Sequence, residues 1–150
     1  MAQTTTAISS VDGQVEFSTD NSTWTDISGS ITSVDPGEQG RDIGEEYVLE
    51  GDLPVMGEGK SQTLEITCKG LWSPTAGEAF AVVKAAWEAR GRCYLRWSPQ
   101  GGATGDKRYT TSYGYLTGFM WPKVDATDAK PMPCGFKLKT GKITESTISA

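Results

Sequence analysis

Residues 62–71, QTLEITCKGL, alternate apolar and polar side chains almost one for one. Leu64, Ile66 and Cys68 fall on one face, Glu65, Thr67 and Lys69 on the other. A strict period of two is the mark of a strand with one buried face. The rhythm returns in RCYLRW, with Cys93, Leu95 and Trp97 inward, and in RYTTSYGYLTGFMW, with Tyr113, Tyr115 and Phe119 on one face. It closes the chain in CGFKLKTGKITESTI, where Phe136 and Leu138 oppose Lys137 and Lys139. It also opens the chain: VEFSTDNSTWTDISGSITSV reads as one hairpin that turns at Asp20-Asn21-Ser22. About seven or eight such strands, half of each facing water, pack as antiparallel sheets.

One segment keeps the helical period instead. After Pro74 and Thr75, residues 76–90 place Phe80, Val83 and Trp87 on one stripe, extended by Ala76, Ala79 and Ala86. Glu78 lies early and Arg90 late, as the helix dipole prefers, and Gly91 is the stop signal. The expected fold is therefore mainly β: an antiparallel β-sandwich or partial barrel with one flanking helix, about 76–90. At 150 residues it is one domain, 1–150, with residues 1–13 as an N-terminal arm expected to be flexible in the free protein.

Composition excludes most chemistry. The chain has no histidine, the commonest general base and a leading metal ligand. No phosphate-binding loop, nucleophile elbow or calcium-loop spacing is present, and Gly101, Gly102 and Gly105 read as a hairpin loop. No catalytic residue, metal site or cofactor is expected, and the chain is not read as an enzyme. Cys68, Cys93 and Cys134 are odd in number and flanked by apolar residues, as small core side chains are. MAQTTTAISS lacks the basic and apolar regions of a signal peptide, and no apolar run approaches a membrane span, so synthesis in a reducing cytosol is expected.

Charge is distributed unevenly. From Asp35 to Lys60 the acids are Asp35, Glu38, Asp42, Glu45, Glu46, Glu50, Asp52 and Glu58, opposed only by Arg41 and Lys60, so the segment carries −6 of a total of −5. Loops longer than about 12–15 residues are uncommon in compact domains and are usually functional or disordered. As an open hairpin this one reaches up to ~40 Å, at ~3.3 Å per residue, from a domain whose radius of gyration is ~15 Å. A long projecting loop over about 35–60 is thus expected. Opposite it stand Arg90, Arg92, Arg96, Lys107 and Arg108, with the basic strand of Lys137 and Lys139. An acidic projection and a separate basic surface suit heterologous contact between copies, which closes into rings or propagates as filaments.

In order, VEFSTDNSTWTDISGSITSV, the Gly- and acid-rich loop, GKSQTLEITCKGLW, TAGEAFAVVKAAWEARG and CYLRWSPQGGATGDKRYTT resemble the major tail tube proteins of long-tailed bacteriophages. That family shares its fold with the tubes of contractile tails and type VI secretion systems. The resemblance implies a structural virion protein, made in the bacterial host cytoplasm, that assembles as hexameric rings stacked into a tube. One sheet per subunit joins its neighbours around a lumen, and the long loop contacts the adjacent ring. The implied partners are other copies, a tape-measure protein and tail-tip or terminator proteins, with genomic DNA passing through unbound and no membrane. Glu16, Glu65 and Thr67 are candidates for the lumen, whereas Lys69, Lys137 and Lys139 suit a neighbour or the outside. The rival readings are a tail terminator or capsid decoration protein, and a monomeric carbohydrate-binding or adhesin module displaying Trp24, Trp72 or Trp121.

Overall fold

The computed structural model describes residues 2–9 and 11–150. Met1 and Ser10 of the expected N-terminal arm lie outside the described residues. The rest of residues 2–13 is exposed and outside any strand.

Two antiparallel sheets pack face to face. The strands are β1 (Gln14–Ser18), β2 (Thr25–Asp26), β3 (Ile31–Asp35), β4 (Arg41–Glu46), β5 (Val55–Ser61) and β6 (Leu64–Leu71). After the helix α1 (Ala79–Ala89) come β7 (Tyr94–Ser98), β8 (Lys107–Thr111), β9 (Gly114–Met120), β10 (Pro133–Thr140) and β11 (Ile143–Thr147). Sheet A has the order β11-β8-β7-β1-β2 and sheet B the order β3-β6-β10-β9, while β4 and β5 form a separate ribbon. Neither sheet closes on itself, so the fold is a sandwich rather than a barrel.

The predicted alternation sets the core. Ile66 and Cys68 of β6 and Phe136 and Leu138 of β10 face inward, clustering with Val15, Phe17 and Leu95 of sheet A, and Leu64 is buried on the same face of β6. Leu138, Ile66 and Leu95 are fully buried. The three cysteines are free and buried; burial alone raises the Cys68 thiol to about 12 and the Cys93 thiol to about 11.

Three segments that read as continuous strands or hairpins instead cross between sheets. The opening hairpin closes over only two pairs, Glu16 with Asp26 and Phe17 with Thr25; the chain then buries Ile27, turns through Gly29, and enters sheet B as β3. Residues 107–120 divide at Ser112-Tyr113, leaving β8 in sheet A and β9 in sheet B. The last segment divides at Gly141-Lys142, where the Ser112 N–H donates to the Lys142 carbonyl at 2.9 Å. In β9, moreover, Tyr115 and Phe119 do not share a face. Lys137 pairs with Gly118 but Leu138 with Leu116, so Thr117 is an extra residue that turns Leu116 and Phe119 inward and leaves Tyr115 outside.

The helix is shorter than the periodicity suggests. Gly77 has a φ of +88°, a left-handed turn that keeps Ala76 out of the helix and off its stripe. Glu78 is the N-cap but makes no side-chain cap bond. The N–H of Ala79 donates instead to the buried Ser30 hydroxyl at 3.1 Å. Arg90 itself takes the left-handed C-cap, with φ 53°, and its N–H returns to the Ala86 carbonyl. Ala79, Val83 and Ala86 form the buried stripe, against β9 and β10.

Candidate subunit interfaces

The segment 35–60 stands away from the domain as a ribbon. Arg41 pairs with Ser61, Ile43 with Glu58, Gly44 with Gly57, Glu45 with Met56 and Glu46 with Val55, and every residue of both strands is exposed. Its base is fastened. Gln62 donates its N–H to Gly40 at 2.7 Å, and the Gln39 amide reaches both the Gln62 carbonyl, at 3.1 Å, and the Gly141 carbonyl, at 2.8 Å. Asp35 closes the entry turn by accepting the N–H of Gly37, whose φ is +64°.

Some of the acidic candidates are engaged within the ribbon. Glu58 is ion-paired with Arg41, and Asp42 accepts from the Gln62 amide at 2.6 Å. Glu38 lies in the entry turn and Glu50 and Asp52 at the tip; with Glu45 and Glu46 they make no ion pair among the described residues. Charge is only half of the ribbon's chemistry. Ile43, Tyr47, Val48, Leu49, Leu53, Val55 and Met56 are all exposed, Leu53 at 81%. The apolar residues of the tip lie within YVLEGDLPVM, among the acids that dominate its net charge. A two-stranded ribbon is marginally stable alone in water, and a contiguous apolar patch on a projection marks an interaction surface.

The basic candidates do not gather in one patch. Arg96, Lys107 and Arg108 belong to sheet A, Lys137 and Lys139 to the outer face of sheet B, and Arg90 and Arg92 to the turn after α1. Several are already committed. Arg96 pairs with Glu16 and lies 4.2 Å from the Trp24 ring centre, Arg92 covers Tyr113 at 4.5 Å, and Lys107 reaches Glu145 at 3.8 Å. Lys137 lies 3.8 Å from Glu65.

The lumen candidates separate in the same way. Glu16 stands on sheet A, bound by Arg96, and cannot share a surface with Glu65 and Thr67. Glu65, Thr67, Lys69, Thr117, Lys137 and Lys139 share the outer face of sheet B, where Thr117 donates to Glu65 at 2.9 Å.

A second apolar surface lies at the far end of sheet B. Trp72 meets Phe80, Phe80 meets Phe119, and Phe119 meets Trp121, with ring centres 6.1, 5.4 and 5.0 Å apart. Trp121 is 53% exposed and Lys84 lies 5.8 Å from its ring centre. Trp72 is largely covered, yet its indole Nε1 is buried without a hydrogen-bond partner.

No protein-family model and no curated protein matches the sequence. Solved structures do. The chain superposes on a subunit of the sheath-tube complex of an extracellular contractile injection system (PVC), with a TM-score of 0.75 at 17% identity, covering 96% of this chain and 94% of that one. A chain of the anti-feeding prophage cap, described as a tube-terminating cap, gives 0.73 at 16%, covering 99% and 96%. The SPP1 tail tube gives 0.59 at 10%, covering 93% and 78%. The chain has the tail-tube fold. At these identities the likeness is one of architecture.

Proposed function

We propose that the chain is a tail-tube subunit, which joins edge to edge into hexameric rings that stack into a hollow tube. The observation that carries this reading is the parity of sheet B. Its four strands alternate in direction, and β3 and β9 carry no strand on their outer sides. With an even number of strands, β9 of one copy lies antiparallel to β3 of the next. Copies added in one sense therefore continue a single antiparallel ladder, and closing the ring leaves no exposed edge. Sheet A has five strands, ends in a two-residue β2, and would meet its neighbour parallel. Sheet B is the better wall.

Its outer face then lines the lumen. Lys69, Lys137 and Lys139 stand there with Glu65 and Asp35, and Thr67 and Thr117 lie between them. The Lys137–Glu65 pair offsets part of the positive charge. Three lysines against two carboxylates leave this face a net +1 per copy, a modest excess, and each further unopposed cation would add affinity for a passing duplex. Passage of genomic DNA, a tape-measure protein inside the growing tube, tip and terminator partners, and a place in a virion assembled in a bacterial host belong to the same proposal.

Negative-stain microscopy of the purified chain tests it. Hollow tubes of uniform bore are expected. Isolated rings would favour a terminator, and a glycan-binding monomer would overturn the reading.

A further inference from the structure

The two unpartnered apolar surfaces sit at opposite ends of the same sheet. The ribbon leaves β3 after Asp35, which pairs with Thr67, and returns at Leu64; Leu64, Thr140 and Gly114 pair in one row that marks this end of sheet B, and β3 runs toward it. At the other end Leu71 pairs with Pro133 and Gly135 with Met120, and the strands lead directly into Trp72 and Trp121. The sheet spans ~26 Å, eight residues at ~3.3 Å each. The ribbon therefore springs from the end of the sheet opposite its own aromatic cluster.

We propose that the ribbon tip of one copy docks on the Trp72–Phe80–Phe119–Trp121 cluster of a copy in the adjacent ring. This rests on the tail-tube reading and names the receiving surface that reading leaves open. Donor and acceptor at opposite ends of one strand direction satisfy each other only by translation along that direction, so the contact propagates as a stack and does not close on itself. Both sides need cover: Tyr47, Val48, Leu49 and Leu53 project into water, and Trp121 and Met120 are half exposed. The polar complement is also present. Lys84, which lies over the Trp121 ring and 4.0 Å from Glu88, is the cation at the cluster that the acidic tip, with Glu45, Glu46, Glu50 and Asp52, would meet. Asp125 and Asp128, which follow in the same loop, accept from Thr127 and from the Lys130 N–H and keep their charge, so the apolar contact and not the charge is the main attraction. The cluster, rather than the scattered arginines and lysines of the two sheets, is the main seat.

Replacing Leu49 with the photo-reactive p-benzoylphenylalanine, in a mixture of 15N-labelled and unlabelled full-length chains, tests the contact. Irradiation of assembled material, or of the chain at high concentration, should join position 49 to tryptic peptide 70–84 or 109–123 of another copy, at Trp72, Phe80, Met120 or Trp121. Tubes that cross-link elsewhere, or that form as readily with Trp121→Ser as without it, overturn this inference and leave the tail-tube reading standing. Absence of both tubes and intermolecular cross-links overturns the two together.

Discussion

Phe17 of sheet A meets Phe136 of sheet B edge to face, ring centres 5.9 Å apart and planes at 76°. The two rings, 1% and 5% exposed, fasten the layers where neither sheet has a closing strand. Truncating a buried phenylalanine forfeits its transfer energy and leaves a cavity, and an edge-to-face pair adds about 0.5–1.5 kcal/mol beyond area. Phe17→Ala should therefore cost about 3–5 kcal/mol in urea unfolding. A loss below about 1 kcal/mol would mean that the sheets are held together elsewhere.

Ser30 supplies what the helix lacks. No residue of α1 caps its own N-terminus, and the Ser30 hydroxyl, from the crossing between β2 and β3, accepts the Ala79 N–H across the interior. Ser30→Ala should destabilise by about 1–2 kcal/mol, the usual cost of removing a cap and leaving a buried donor unmet. Thermal unfolding followed by circular dichroism measures it. A value equal to wild type would show that water replaces the hydroxyl.

The sequence made the strands legible because alternation reports a buried face directly, as at Leu64, Ile66 and Cys68. It did not reveal which sheet each strand joins. Ser112-Tyr113 and Gly141-Lys142 look like ordinary positions inside alternating runs, and only pairing with distant strands makes them crossings. The Thr117 bulge is hidden for the same reason, since an extra residue is defined by its partner strand. The start of α1 was obscured because Ala76 fits the stripe by spacing while Gly77 removes it by backbone conformation. At the interfaces, net charge singles out Asp35–Lys60 but does not register the apolar side chains at its tip. The aromatic residues at 72, 80, 119 and 121 are too far apart in sequence to read as one surface.

Asp20 carries a pH dependence with a definite sign. Its carboxylate accepts the N–H groups of Ser22 and Thr23 at 2.9 and 2.8 Å and the Ser18 hydroxyl at 2.9 Å, and these bonds hold it well below the ordinary carboxylate range. A depressed folded value means that the stabilisation is fully present above the unfolded value, near 4, and is lost as pH falls through the lower folded value. Asp20→Ala should thus weaken the fold at pH 7, and the difference from wild type should shrink as the pH is lowered below about 4. A difference that stays constant with pH would assign the loss to turn geometry rather than to charge.

The ribbon separates charge from apolar contact in assembly. Exposed charges are screened at physiological salt within about 8 Å, whereas burial of apolar surface contributes roughly 25 cal/mol per Å² and persists in salt. Neutralising Glu45, Glu46, Glu50 and Asp52 to their amides should change the rate of tube growth several-fold at low salt and little at high salt. Leu49→Ser with Leu53→Ser should abolish tubes at any salt. Both variants should unfold within a few degrees of wild type, because all six substituted residues are already exposed in the single copy. Light scattering at two ionic strengths, with microscopy of the end state, gives the comparison. If the amide variant fails to assemble at high salt while the serine variant succeeds, the ribbon docks by its carboxylates, and the basic residues of the two sheets become the receiving surface.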